Sequence, residues 1–179
     1  MRIYTRRGDD GHTNLYRGGR VAKDTTGPEA YGTVDEAVSV LGAARASAVG
    51  DIANAVLEVQ RELFVVAAEL ATDPGHRDSL EDGVSRVESA MIEAVERRID
   101  VIDGEFGMPT EFVVPGGDPV AAMLDVARTV VRRAERRAVT HLGDGSPSLV
   151  VPYLNRLADY LYMLARAVER EWTPTKKES

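Results

Sequence analysis

Five arginines fall in one stretch, DPVAAMLDVARTVVRRAERRAVTHL: Arg128, Arg132, Arg133, Arg136 and Arg137. On a helix, with about 100° per residue, Arg128, Arg132 and Arg136 share an arc of about 80°, with Glu135 beside them. Ala127, Val130, Val131, Ala134 and Ala138 form a separate apolar stripe, and Arg133 and Arg137 point off the arginine face. Guanidinium forks at successive turns suit a polyphosphate, because each binds phosphate oxygens bidentately. The same row also fits a solvated basic face with helix-supporting ion pairs.

A second group opens the chain. TRRGDDGHTN combines Gly8 and Gly11 with Arg6, Arg7 and the hydroxyls of Thr5 and Thr13. Glycines let backbone amides approach an anion closely, although a surface turn has a similar composition. The stretch matches neither GxxxxGK[ST] nor GxGxxG. A third group, Asn155, Asp159, Tyr162 and Arg166, shares one helical face opposite Leu157, Leu161, Leu164 and Val168. That polar face either meets solvent or lines a cleft. In AYGTVDE, Tyr31, Asp35, Ser39 and Gly42 run beside Val34, Val38 and Leu41. A buried Asp35 would need a cation, and the arginine row is the obvious source.

Composition excludes several chemistries. The 179 residues carry no cysteine, so disulfides, thiolate catalysis and cysteine-ligated metals are out. A net charge of −7 argues against a general nucleic-acid binder. No apolar run is long enough to span a bilayer, and no apolar segment follows the first arginines as in a secretory signal. These features fit a cytoplasmic protein. His12, His76 and His141 are scattered and no Glu-x-x-His pair occurs, which disfavours a di-iron bundle. With no GxSxG elbow either, an enzyme here would take its nucleophile from a substrate.

The positioning elements are helices. Residues 1–28 lack helical period and read as an ordered loop, with a short strand at Arg2–Thr5 and apolar anchors at Ile3, Tyr4, Leu15, Tyr16 and Val21. Five helices follow. The first runs from about Glu29 to Ala48, after Thr26-Gly27-Pro28. The second is capped by Asp51 and stops at Thr72–Gly75. The third spans about Leu80 to Val101, with Ser85 and Glu88 as a capping box. The fourth is capped by Asp118-Pro119 and ends near Gly143. The fifth runs from Ser148 to about Trp172. This is an all-α, up-and-down five-helix bundle with an ordered glycine-rich N-terminal loop. The expected organisation is one domain over 1–179, with the loop at 1–28, the bundle at 29–172 and a tail at 173–179.

Three blocks together resemble the PduO-type ATP:cob(I)alamin adenosyltransferases: YTRRGDDGHTNL with GGRVAKD and AYGTVDE, then FVVPGG with VARTVVRRAERR, then YLNRLADYLYMLAR. They cover about half the chain in the family's order, and their co-occurrence is specific. The resemblance implies a homotrimer with active sites at subunit interfaces. It also implies transfer of the 5′-deoxyadenosyl group of ATP to cob(I)alamin, yielding adenosylcobalamin and triphosphate. The cobalt would then be the nucleophile, and the protein's work would be positioning and electrostatics.

By the same resemblance, Thr5, Arg6, Arg7, Gly8, Thr13, Asn14 and Lys23 hold the ATP phosphates, with Mg²⁺ bound mainly through those phosphates. Arg132, Arg133, Glu135 and Arg136 complete the site from the adjacent subunit, with Arg132 and Arg136 on phosphate and Glu135 ordering the site. Asn155 contacts the nucleotide. Asp35 and Arg128 form an intersubunit pair beside the corrin, and Phe112 displaces its lower axial ligand, leaving a four-coordinate cob(II)alamin that is easier to reduce. Tyr162 joins the corrin contact, where the family often has phenylalanine. Arg6 stands where lysine is usual, and Asp10 reverses a common lysine's charge. A cob(II)alamin reductase and an adenosylcobalamin-dependent enzyme are the candidate protein partners. The rival readings are a non-catalytic carrier or sensor of ATP or cobalamin, and a helical interaction module.

Overall fold

The computed structural model describes residues 4–176. A two-stranded antiparallel sheet pairs β1 (His12–Asn14) with β2 (Arg20–Ala22). Five helices follow: α1 (Thr26–Ser47), α2 (Gly50–Leu70), α3 (Ser89–Phe106), α4 (Pro119–Leu142) and α5 (Val150–Glu169), with a 3-10 turn at Pro74–Ser79. The helical class expected from the sequence is the observed one. The strand expected at Arg2–Thr5 falls partly outside the described residues, and Tyr4 and Thr5 are not in a strand.

The helices pack in the order α2, α1, α4, α5, α3. Ala127, Val130, Val131, Ala134 and Ala138 are buried, as are Leu157, Leu161 and Leu164, so the apolar stripes of α4 and α5 face the core. Val34 and Leu41 of α1 and Val56, Val59, Leu63 and Val66 of α2 complete one contiguous cluster. Burial of each such aliphatic side chain stabilises the fold by roughly 1.5–3 kcal/mol.

Local chemistry explains the ends. Asp118 accepts hydrogen bonds from the amides of Val120 and Ala121 at 2.7 and 3.0 Å, and Pro119 sits where its missing N–H costs nothing. In α1 the helix begins at Thr26, three residues earlier than expected. The Glu29 amide reaches the Thr25 carbonyl, so Gly27 and Pro28 already form the first turn.

Two boundaries differ for a long-range reason. Residues 80–88 are not helical. Gly83 takes φ 71°, and Ser85 bonds the Glu81 amide at 3.0 Å rather than capping a helix with Glu88. Buried Glu69 of α2 then captures this segment, accepting from the Val87 amide at 2.7 Å and from the Ser148 hydroxyl at 2.5 Å. Ser148 is thereby held outside α5, which begins at Val150. At the start of α2 the cap position is Val49, and Asp51 lies in the first turn, where its charge complements the helix dipole. The head is sewn to the other end of α2, with the Tyr16 amide donating to the Ala71 carbonyl at 2.8 Å.

Arg166 is the largest correction. Expected on a polar face, its residue is 2 % exposed, and its guanidinium binds Asp125 of α4 at 2.5 Å and Glu169 at 3.2 Å. The polar stripe of α5 therefore splits: Asn155 and Asp159 are exposed, Tyr162 is half-buried and Arg166 is core. Removing one partner of a buried ion pair strands the others in low dielectric, at a cost of about 3–5 kcal/mol. Arg166→Met is expected to lower unfolding free energy by about that amount in urea titration, against under about 1 kcal/mol for Arg137→Met, whose pair with Glu29 is half-exposed.

Candidate active site

The head folds into a cleft of about 390 Å³ lined by Thr5, Arg7, Gly8, His12, Thr13, Asn14, Arg20 and Lys23. Six of the seven head residues singled out in the sequence meet there. Its walls come from local turns: the Gly11 amide bonds the Gly8 carbonyl, and the Lys23 amide bonds the Gly11 carbonyl. Lys23 Nζ donates to the Gly8 carbonyl at 2.8 Å, and a Cβ at position 8 would lie 3.1 Å from that nitrogen. A side chain there would crowd the ammonium and make it shift. Arg6 is the exception. It adopts a left-handed backbone with φ 59°, and its guanidinium lies over the Tyr4 ring at 5.6 Å instead of lining the cleft.

Arg20 and His12 are the residues that sequence reading missed. The sheet register sets Asn14 opposite Arg20, so two cleft residues face each other across the hairpin. Arg20 Nη2 donates to the Arg7 carbonyl at 2.6 Å and to both Asp10 carboxylate oxygens at 2.8 and 2.9 Å. Asp10, whose charge was hard to place beside an anion cleft, is thus the anchor of Arg20. The His12 amide first, and Arg20 second, hold its carboxyl below the usual carboxylate range. Tyr31 of α1 borders the head: burial raises its phenol, and the Thr13 side chain partly offsets that rise.

The α4 arginines divide as their angular positions require. Arg133 pairs with Glu36 of α1, and Arg137 with Glu29 at 3.0 Å, so both are drawn to the α1 side. Within one chain, then, Arg133, which the resemblance gives to the ATP site, is engaged by α1. Arg132 and Arg136 are exposed, and among the described residues neither has an ion-pair partner. Arg136 donates to the Arg132 carbonyl at 3.0 Å, and Asn155 Nδ2 donates to Glu135 at 3.0 Å, joining α5 to α4 on this face.

A second cleft, of about 360 Å³, lies among α3, α4 and α5. Arg128, Arg132, Asp159 and Tyr162 line it, with Ile99, Met108 and Met163 as apolar walls. The guanidiniums of Arg128 and Arg166 lie 5.9 and 5.3 Å from the Tyr162 ring centroid, and Arg128 Nε contacts Asp125 at 3.2 Å. Asp35 is exposed on α1 and, among the described residues, has no ion-pair partner within the chain. Phe112 stands 85 % exposed on the loop before α4. In one chain, then, the head residues line one cleft while Arg128, Arg132 and Tyr162 line another.

An anion-suited head cleft beside a bundle with two exposed α4 arginines, Arg132 and Arg136, is in keeping with the family the comparisons give. Residues 3–168 match the family described as cobalamin adenosyltransferase. The corrinoid adenosyltransferase of Citrobacter freundii is 41% identical over 94% of this chain and 95% of its own length. That of Bacillus subtilis is 37% identical over 94% and 86%. The fold superposes on a PduO-type ATP:corrinoid adenosyltransferase of Lactobacillus reuteri, solved as a phenylalanine-to-histidine variant with cobalamin and ATP. The TM-score is 0.83 at 29% identity, covering 94% of this chain and 91% of that one. The chain belongs to the cobalamin adenosyltransferase family and is an enzyme of that class.

Because Arg20 is only the second cause of the low Asp10 pKa, Arg20→Ala is expected to raise it partway toward the ordinary value. Carboxyl-carbon NMR titration checks this. A depressed carboxylate stabilises the fold above its unfolded pKa and loses that contribution as pH falls through the folded one. The variant's acid-unfolding profile is therefore expected to flatten in that window.

Proposed function

We propose that this enzyme transfers the 5′-deoxyadenosyl group of ATP to cob(I)alamin, forming adenosylcobalamin and triphosphate. The observation that carries the reading is the head cleft, where Arg7, Arg20 and Lys23 converge with the Thr5 and Thr13 hydroxyls and Asn14. This is a donor set for a polyphosphate, in a chain of this family. The two electrons of cobalt(I) form the Co–C5′ bond, and the C5′–O bond breaks with its pair leaving on triphosphate. No protein nucleophile is needed. The protein's part is to hold C5′ in line and to stabilise charge on the departing triphosphate.

In this reading the head cleft binds the phosphates of one subunit's ATP, and the free face of a neighbour's α4 completes the site. Arg132 and Arg136 meet phosphate, Glu135 orders Asn155 through their hydrogen bond, and Asn155 contacts the nucleoside. Exposed arginines with no ion-pair partner among the described residues fit this role, since a ligand need break no ion pair to reach them. A homotrimer would also give Asp35 its partner, Arg128 of an adjacent copy, beside a corrin lying against the Tyr162 cleft. Phe112 would occupy the lower axial face of the corrin, favouring four-coordinate cob(II)alamin, which is easier to reduce. Mg²⁺, carried on the triphosphate, would add charge neutralisation there, and Thr5, Thr13 and Asn14 are neutral oxygen-bearing side chains lining the cleft. The whole chain would act as one domain in the cytoplasm, taking electrons from a cob(II)alamin reductase and passing product to an adenosylcobalamin-dependent enzyme.

An anaerobic assay with ATP, Mg²⁺ and chemically reduced cobalamin is expected to show loss of the cob(I)alamin spectrum and formation of adenosylcobalamin. Binding of both ligands without transfer would instead mark a carrier. Arg132→Ala is expected to lower kcat by about 100-fold or more, the scale for removing one charge-stabilising donor, with an unchanged melting temperature. Phe112→Ala is expected to slow turnover from enzymatically reduced cob(II)alamin far more than from pre-formed cob(I)alamin. Equal losses by the two routes would remove Phe112 from ligand displacement.

A further inference from the structure

Packing does not hold Phe112 in place, because its residue is 85 % exposed. Its backbone is held instead. The C-terminal segment runs antiparallel beside it, with Val113 opposite Pro174. The Val114 amide donates to the Thr173 carbonyl at 2.8 Å, and the Thr175 amide donates to the Phe112 carbonyl at 2.9 Å. Proline suits this register. The bonds are made by the residues flanking the Val113–Pro174 pair, so the missing N–H falls where no donor is required.

Both ends of the Phe112 loop lead to one residue. The Trp172 indole fastens the C-terminal segment to the bundle by donating to the Arg166 carbonyl at 3.0 Å. At the far end of the loop, the Gly117 amide donates to Glu169 Oε1 at 2.7 Å, and Glu169 is an ion-pair partner of Arg166. The Arg166 guanidinium also holds Asp125, which binds Arg128 of the second cleft. An unbroken path of contacts therefore runs from Arg128 to both tethers of the Phe112 loop.

We propose that Trp172–Thr175 is a positioning strand for Phe112, acting with Glu169 to fix the loop backbone and present the exposed ring in one place. The proposal rests on the role given to Phe112 above. An exposed aromatic on an untethered loop rich in glycine and proline would spread over many positions, and its ordering would fall on the binding step. A backbone fixed in advance avoids that. The strand acts through main-chain atoms, so its signature is sensitivity to the loss of one N–H and indifference to the side chain.

Thr175→Pro removes the donor to the Phe112 carbonyl, while Thr175→Ala keeps it. Pro174 lies in the antiparallel bridge to Val113, the kind of position that a following proline favours. Amide exchange at Val114 is expected to be slow in the wild type and Thr175→Ala, and about tenfold or more faster in Thr175→Pro. Turnover from enzymatically reduced cob(II)alamin is expected to fall about tenfold in Thr175→Pro, with chemically generated cob(I)alamin used nearly normally and Thr175→Ala matching wild type on both. Identical exchange and turnover in the two variants would overturn the proposal. So would faster exchange with unchanged cob(II)alamin turnover, which would leave the strand merely structural. If no form of the protein makes adenosylcobalamin, the functional reading fails and the positioning role fails with it, while the exchange difference still reports the tether.

Discussion

A guanidinium withdrawn from water is costly unless a carboxylate meets it, and Arg166 reaches two through Nη2: Asp125 on one helix and Glu169 on its own. What this arrangement supplies is geometry more than net stability. The Asp125 contact sets α5 against α4, and Asp125 also orients Arg128 toward the second cleft. Glu169 reaches the Gly117 amide just ahead of α4, and the Arg166 carbonyl receives the Trp172 indole. Loosening this centre would disturb the α4–α5 pairing, the loop that carries Phe112 and the Trp172–Thr175 segment together.

A second division of labour lies along α4. Of its five arginines, Arg133 and Arg137 bind Glu36 and Glu29 of α1, while Arg132 and Arg136 are left on the surface. The α1 pairs are partly exposed, so each contributes little to stability, on the order of 0–1 kcal/mol. Their effect is to use two cations locally and leave Arg132 and Arg136, among the described residues, without an ion-pair partner. One helix thus serves the bundle with one edge and presents charge with another. The two clefts of a single chain each hold only part of the proposed site, which is why a neighbouring subunit enters the functional reading.

Much of this was legible in the residues. The apolar stripes of α4 and α5, the Asp118-Pro119 start and the gathering of Thr5, Arg7, Gly8, Thr13, Asn14 and Lys23 all follow from short-range pattern or motif. Asp10 was not legible. Beside a site for anions its charge looked misplaced, and only the hairpin register, which puts Arg20 next to Asn14 and within reach, makes it an anchor. Arg20 and His12 were not legible for the same reason: their roles depend on strand pairing across a turn.

The sequence by itself determined roughly where helices form and which of their faces turn inward. Those outcomes depend on residues within a few turns of one another, and helical period and capping govern them. Tertiary structure decided the burial of Arg166, the late start of α3 under the pull of Glu69, and the pairing of Trp172–Thr175 with the Phe112 loop. Each joins groups distant in the chain, and at each one a buried charge or an unpaired backbone group finds its partner only once the helices have packed. Local propensity carries no record of such partners.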